Sequence, residues 1–183
     1  IPSAFISDSG SGTLGDAIMA MQYAVSRGAK IINASWGGAP CVSSLRNAFV
    51  ELEKSGVLIV VAAGNSGHDL DRFPEYPASF NLSNQITVGA ANSADFMTSW
   101  SNSSFSQVGL VAPGAAILST TPNGTYQYLD GTSMAAPFVA AAAASLWGAH
   151  PSATLSQIKN ALLKSVDVNT INPYRVQTGG RLN

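Results

Sequence analysis

The stretch that decides the fold is Val57-Leu58-Ile59-Val60-Val61-Ala62-Ala63-Gly64-Asn65. Its first seven residues are all apolar, which is typical of a strand that is covered on both faces within a parallel sheet. A glycine turn that carries the amide of Asn65 follows at once. Because ligands of α/β proteins bind beyond the carboxyl ends of the strands, this turn is a candidate binding position.

The segments before this strand predict an alternation of helices and strands. Apolar residues recur at helical spacing from Leu14 onward, with Thr13 as the N-cap and Gly28 as the stop signal. A strand is predicted to begin at Ile31, and a second amphipathic helix spans about 44–55. This order favours a mainly parallel sheet with right-handed crossovers.

The rest of the chain continues the same plan without a linker or an internal repeat. The predicted elements are short strands near 86–89, 110–111 and 117–120, a hairpin turn at Asn123-Gly124, a long alanine-rich helix over 133–149, and a last helix that starts at the capping box Thr154-x-x-Gln157. The pattern therefore predicts a single α/β unit.

The composition excludes several classes of protein. The chain has 183 residues, of which 46% are hydrophobic and 10% charged, with a formal net charge of −1. No cluster of Lys and Arg is present, so nucleic acid and membranes are not expected partners. The apolar run 134–147 is too short to span a bilayer, and residues 1–3 do not begin a signal peptide. The single cysteine, Cys41, is expected to be a small apolar filler in a loop.

A serine stands between a glycine turn and the long helix, in Gly131-Thr132-Ser133-Met134-Ala135-Ala136-Pro137. Its hydroxyl would project at a helix N-terminus, where free N–H groups and the helix dipole favour developing negative charge. The alternative is an ordinary serine cap, which is the commoner role of a lone serine. The segment is not the Gly-x-Ser-x-Gly elbow of α/β-hydrolases, because Ala135 stands where the second glycine belongs.

The turn at Asn65 also has more than one interpretation. Its amide could donate to an oxyanion without carrying a charge. Asn-x-Gly turns are, however, commonly structural. A phosphate-binding glycine loop is a third interpretation, but the Gly-x-x-x-x-Gly-Lys pattern is absent and no lysine stands near.

Together, the two segments resemble the subtilisin family of serine proteases. Further similar segments follow in family order, namely Ile32-Asn33-Ala34-Ser35-Trp36-Gly37-Gly38, Tyr76-Pro77-Ala78, Val88-Gly89-Ala90, Val111-Ala112-Pro113-Gly114 and Gly179-Gly180-Arg181-Leu182-Asn183. The resemblance implies a three-layer, subtilisin-like α/β fold with a mainly parallel sheet. It also implies that residues 1–183 are the C-terminal part of one peptidase domain whose N-terminal portion is missing.

The resemblance implies roles for individual residues. Ser133 would be the nucleophile and Asn65 the side-chain donor of the oxyanion hole. The substrate-binding residues would be Ser35, Trp36, Gly37, Ala62, Ala63 and Gly64. Small residues in these walls leave room for a large apolar P1 side chain, which is the residue before the scissile bond.

Further features follow from the resemblance alone. No cofactor would be required and no metal would take part in catalysis, although the parent protein could hold a weak calcium ion on backbone carbonyls near Ala78 and Phe80. The Tyr76-Pro77 peptide bond would be cis. The substrate would be a protein or peptide, and the location would be secreted or extracytoplasmic.

The sequence departs from the family because it lacks the segments that supply the histidine and the aspartate of the catalytic triad. A serine nucleophile needs a histidine that is itself oriented by a carboxylate. Neither the Asp-(Thr/Ser)-Gly nor the His-Gly-Thr segment of the family is present. Asp8-Ser9-Gly10 is rejected as the Asp segment, because no apolar strand precedes it and a helix follows too soon. The histidines, His68 and His150, are expected to be surface residues.

Two functional hypotheses follow. The first is a serine endopeptidase that works through an acyl-enzyme, in which an N-terminal segment or separate chain of the same protease supplies the Asp and His, and residues 1–183 alone are inactive. The second is a non-catalytic peptide-binding module that has kept the groove and lost its base.

Overall fold

A computed structural model describes residues 1–7, 9–38, 40–168 and 174–183 of the chain. The helices are α1 (Leu14–Ser26), α2 (Ser43–Lys54), α3 (Thr132–Ala149) and α4 (Leu155–Lys164). The strands are β1 (Ile31–Ala34), β2 (Leu58–Ala62), β3 (Gln85–Ala91), β4 (Leu110–Pro113), β5 (Ile117–Thr121), β6 (Thr125–Leu129), β7 (Asp167–Val168) and β8 (Gly180–Arg181).

The main sheet is largely parallel, as the sequence predicts. Its strand order is β1-β2-β3-β4-β8-β7. The pairs β1-β2, β2-β3, β3-β4 and β4-β8 are parallel, and the pair β8-β7 at the end of the sheet is antiparallel. Strands β5 and β6 form a separate hairpin. The predicted α/β fold with a mainly parallel sheet is therefore confirmed.

Strand β2 shows why the molecule has three layers. All five of its residues are buried. Ile59 and Val61 face a core layer that includes α1 and α2, whereas Leu58 and Val60 face the opposite layer, which α3 and α4 cover. Because side chains alternate along a strand, an apolar run that is covered on both faces needs helices on both sides of the sheet.

Helix α3 is the central helix of one layer. Its eighteen residues are apolar enough to cross a membrane by length and composition alone. In the structure, however, its fully buried residues Ala135, Ala136, Val139 and Ala143 lie in the same core as strands β2, β3 and β4. Small side chains allow this close approach of helix to sheet, so α3 is a core helix in this fold.

Local signals predicted from the sequence set the ends of several elements. The Thr13 side chain caps α1 by accepting a hydrogen bond of 3.1 Å from the Asp16 N–H. Thr154 and Gln157 form the predicted capping box of α4. Asn123 has a φ of 65° at the predicted turn between β5 and β6. The side chain of an asparagine tolerates this left-handed conformation better than most, which is why the pattern marks a turn.

Two further expectations have different outcomes. The Tyr76-Pro77 peptide bond is cis, as the resemblance implies. Cys41 is exposed, so the expectation that it is a small apolar filler in its loop is wrong. Asp8 of the rejected Asp-Ser-Gly segment lies outside the described residues.

Candidate functional site

Ser133 is the second residue of α3, and Gly131 immediately precedes the helix. Its hydroxyl donates a hydrogen bond of 3.0 Å to the backbone carbonyl of Ser35, just beyond the carboxyl end of β1. The Ser35 hydroxyl donates in return to the Ser133 carbonyl, at 2.9 Å. This reciprocal pair fixes the helix N-terminus against the segment predicted to align the substrate.

Asn65 lies beyond the carboxyl end of β2, at the same edge of the sheet. Its Oδ1 accepts two hydrogen bonds of 2.9 Å from Thr132, one from the backbone N–H and one from the hydroxyl. A backbone N–H can only donate, so it must face the oxygen of the amide. The Nδ2 group is thereby turned toward the start of α3, about 3.5 Å from where a Cβ on Gly131 would stand.

Thr132 is a positioning residue that the sequence reasoning missed. It is fully buried, and its hydroxyl accepts a hydrogen bond of 3.0 Å from the Gly64 N–H while donating to Asn65. One hydroxyl therefore ties the β2 turn to the helix N-terminus. The sequence hints at this role only by the position of Thr132, which stands directly before Ser133 in the quoted motif.

Asn102 holds the same turn from the other side and was also missed. This fully buried amide donates to the Ala63 carbonyl at 2.9 Å, and its Oδ1 accepts from the backbone N–H groups of Ser66 and His68 at 3.1 and 2.8 Å. Its own backbone N–H donates to the Gly64 carbonyl at 2.9 Å. Nothing in the Ser/Asn-rich segment around it distinguishes this asparagine in sequence.

The structure brings the predicted site residues together around one cavity of about 200 Å³. The predicted residues that line it are Trp36, Gly37, Ala62, Ala63, Gly64, Asn65 and Ser133. Ser35 does not line the cavity but is hydrogen-bonded to Ser133. The segments that carry Asn65 and Ser133, each of which has more than one interpretation in the sequence, thus form adjacent walls of a single pocket.

Glu75 and Tyr76 also line the pocket, although neither was predicted to bind substrate. The Glu75 side chain is 24% exposed, and its Oε1 lies 3.1 Å from Nδ1 of His68. The pKa of the Tyr76 phenol is raised, mainly by a hydrogen bond with Cys41 and further by burial, so this phenol stays neutral. Among the described residues that line the pocket, Glu75 is the one with an ionisable carboxylate.

The two histidines do not reach Ser133. Both are exposed, as the sequence predicts. His68 contacts Glu75, and its ring is tilted by 43° against the Phe73 ring, with 5.4 Å between the ring centroids. His150 follows the last residue of α3, about 25 Å along the helix from Ser133 at 1.5 Å per residue. Within the described residues, the hydroxyl of Ser133 bonds to a carbonyl oxygen and not to a general base.

The backbone carbonyl of Ala78, one of the two near which the resemblance places a weak calcium ion, is already engaged in hydrogen bonds. Its oxygen already accepts hydrogen bonds from Gln85 Nε2 at 2.9 Å and from the Thr87 hydroxyl at 3.0 Å. Both lone pairs of the oxygen are therefore in use. Within the described residues, no group of three or more His, Cys, Asp and Glu side chains is gathered for a metal either.

A serine at the start of a core helix, an oriented amide at the neighbouring strand end and a pocket between them are together typical of a serine hydrolase. The chain belongs to the subtilase family, since the family described as "Subtilase family" matches residues 1–180.

Individual relatives agree with this assignment. The chain is 38% identical over 162 residues to Subtilisin DY of Bacillus licheniformis, which covers 86% of this chain and 57% of that protein. It is 43% identical over 139 residues to the major intracellular serine protease of Bacillus subtilis strain 168, covering 75% of this chain and 43% of that protein. The chain thus spans about half the length of these relatives.

A solved structure shows the same fold. The crystal structure of a cold adapted subtilisin-like serine proteinase superimposes with a TM-score of 0.83 at 32% sequence identity. The match covers 94% of this chain and 63% of that protein. The three-layer arrangement predicted from the sequence is that of a subtilisin-like protein.

Proposed function

We propose that this chain is the nucleophile-bearing part of a serine endopeptidase that hydrolyses peptide bonds through an acyl-enzyme. The observation that carries the proposal is the shared cavity of Ser133 and Asn65, with the amide of Asn65 oriented by Thr132. An ordinary serine cap would not need a second, oriented donor facing the same cavity.

In the proposed reaction, the Ser133 oxygen attacks the peptide carbonyl and its proton passes to a histidine. The Nδ2 group of Asn65 and a backbone N–H at the start of α3 donate to the oxyanion that forms. The histidine returns the proton to the leaving amine as the C–N bond breaks. Water then hydrolyses the acyl-enzyme and restores the Ser133 hydroxyl. The backbone from Ser35 to Gly37 aligns the extended substrate.

The histidine and the aspartate come, in this proposal, from an N-terminal segment or separate chain of the same protease. Strand β1 supports this, because among the described strands it pairs with β2 alone and so presents one open edge. A groove of about 310 Å³ runs beside it, lined by Ile31, Ile32 and Trp36 and by residues of α1. An added strand would satisfy the open backbone groups and cover this groove.

A second candidate function is a peptide-binding module without catalysis. It is favoured by one observation, which is that the Ser133 hydroxyl donates to the Ser35 carbonyl and meets no base within the described residues. In that case the cavity would bind peptide but leave it intact.

For location, we propose secretion or another extracytoplasmic compartment, on the strength of the subtilisin resemblance. The alternative is an intracellular location, which two relatives carry in their names. They are the major intracellular serine protease of Bacillus subtilis and the intracellular serine protease of Paenibacillus polymyxa. Fractionation of the producing cells distinguishes the two.

The proposed function is tested by peptide hydrolysis with the complete natural protein that contains this chain. Wild-type protein should release the product amine from peptide substrates, and Ser133→Ala should reduce the rate to the level of the oxyanion site alone. A matched control is Ser156→Ala on the exposed side of α4, which should leave the rate unchanged. Binding of peptide without cleavage by the wild-type protein would favour the second candidate.

A further inference from the structure

We propose that Glu75 selects a basic residue, Arg or Lys, at the P1 position of the substrate. This inference rests on the proposed peptidase function and specifies its substrate class. It departs from the large apolar P1 side chain that the small wall residues predict, because Glu75 adds a charge to the same pocket.

The position of the carboxylate is the first argument. Glu75 lines the cavity together with Ser133 and Asn65, and its Oε2 lies 2.5 Å from where a Cβ on Gly64 would stand. The carboxylate is therefore packed against the residue that immediately precedes the proposed oxyanion donor. A P1 side chain that enters the pocket from a carbonyl held by Asn65 would point past Gly64 toward Glu75.

The hydrogen-bond partners of the carboxylate are the second argument. Oε1 faces His68, whose side chain is 46% exposed, at 3.1 Å. Among the described residues, no lysine or arginine pairs with Glu75, although other carboxylates of the chain have such partners, as Asp69 has Arg175 and Glu51 has Lys54. Oε2 is thus available on the pocket side to accept a bond from a substrate cation.

The energetics of substrate binding give the third argument. An apolar P1 side chain would remove water from the Glu75 carboxylate without replacing its hydrogen bonds, which is unfavourable. A guanidinium or ammonium would supply those bonds and the opposite charge. An acidic side chain would meet direct repulsion. The Glu75 carboxylate therefore favours basic P1 residues and disfavours both apolar and acidic ones.

Two hydrogen bonds with Ser79 hold the backbone of Glu75. The Ser79 N–H donates to the Glu75 carbonyl at 2.8 Å, and the Glu75 N–H donates to the Ser79 hydroxyl at 3.2 Å. The carbonyl of the next residue, Tyr76, approaches Gly37 of the opposite wall, at 3.5 Å from where a Cβ on that glycine would stand. The segment that carries the carboxylate is thus part of the pocket wall.

The test uses the complete natural protein and three peptides that differ only at P1, which is Arg, Leu or Glu. Wild-type protein should cleave the Arg peptide with a kcat/KM at least about tenfold above that of the Leu peptide. The Glu peptide should have the lowest kcat/KM of the three. Glu75→Gln should lower kcat/KM for the Arg peptide by about 10- to 100-fold, and it should leave kcat/KM for the Leu peptide unchanged or raise it, because a neutral amide costs less to desolvate than a carboxylate. Glu51→Gln, an exposed site on α2, is the charge-matched control and should change neither.

Two outcomes would overturn the inference. One is a wild-type preference for the Leu peptide, and the other is an Arg preference that Glu75→Gln does not reduce. Continued cleavage of the Leu peptide by the Glu75→Gln variant shows that this variant is folded. Failure of the proposed function looks different, since then none of the three peptides is cleaved by any variant.

Discussion

The Ser133 hydroxyl and the Ser35 carbonyl are joined by a hydrogen bond of 3.0 Å, and the two residues exchange a second bond of 2.9 Å in the opposite sense. The residues are 98 positions apart in sequence. A carbonyl oxygen orients the serine but does not deprotonate it, because it is a very weak base. In the proposed function, Ser133 is therefore a positioned nucleophile that still needs a histidine to activate it.

Removal of the Asn65 amide should slow the chemical step more than it weakens binding. For Asn65→Ala in the complete natural protein, we expect kcat to fall by about 10²–10³ with little change in KM, a magnitude that is known from a subtilisin and carried over to this relative. Steady-state kinetics on one peptide would measure it. Asn160→Ala, on the exposed surface of α4, is the control. A rise in KM with an unchanged kcat would show instead that Asn65 acts in ground-state binding.

Loss of the Thr132 hydroxyl should both destabilise the fold and misplace Asn65. Thr132→Val leaves the part-buried Gly64 N–H without a partner and removes one of the two hydrogen bonds that Thr132 donates to Asn65. We expect the free energy of unfolding to fall by about 1–3 kcal/mol in a urea titration. Thr120→Val, at an exposed position of β5, should change it by less than about 0.5 kcal/mol. Equal effects of the two substitutions would show that the Thr132 bonds carry no stability.

Gly64 should not tolerate a side chain, because two constraints act on it together. Its φ is +105°, and an added Cβ would collide with the Asn102 amide and lie 2.5 Å from Glu75 Oε2. We expect Gly64→Ala to cost at least about 2 kcal/mol of stability.

The control for this substitution lies in the same molecule. Gly148 stands within α3 with nothing within 4 Å of an added Cβ. Gly148→Ala should be neutral or stabilise by up to about 1 kcal/mol, because alanine is the better helix former. Thermal unfolding of both variants measures the contrast, and a Gly64→Ala protein as stable as the wild type would contradict the described geometry of the turn.

Sequence patterns predicted the layers of this fold because each pattern reports a local property. The apolar run through β2 indicates burial on both faces, and Thr13 and the Thr154-Gln157 pair satisfy the first free N–H groups of their helices. Strands β7 and β8, of two residues each, carry no such pattern, since so short a strand has no periodicity to detect.

The support of the site could not be predicted in the same way. Asn102 bonds to the Ala63 carbonyl across 39 positions, and Thr132 to Asn65 across 67. Glu75 enters the pocket from a segment whose sequence reads as an ordinary loop. These side chains act through contacts between distant parts of the chain, which neither periodicity nor composition encodes. The roles given to Ser133, Asn65 and the wall residues remain predictions.

The open edge of β1 should make residues 1–183 associate when no other segment covers it. An unpaired strand edge beside an apolar groove is a template for pairing with another chain. We expect sedimentation velocity to show dimers or larger species whose population rises with protein concentration. Addition of an N-terminal segment that docks on β1 should suppress them. A monomer at all concentrations would mean that the edge is already covered.

Fluorophosphonate labelling, with the modified residue located by peptide mass spectrometry, tests the central claim most directly. Residues 1–183 alone should remain unlabelled, because the Ser133 hydroxyl meets a carbonyl rather than a base. The label should appear on Ser133 when a segment that carries the Asp and His is supplied, and should be lost in Ser133→Ala. Stoichiometric labelling of residues 1–183 alone, or labelling of any residue other than Ser133 in the complete protein, would contradict the account.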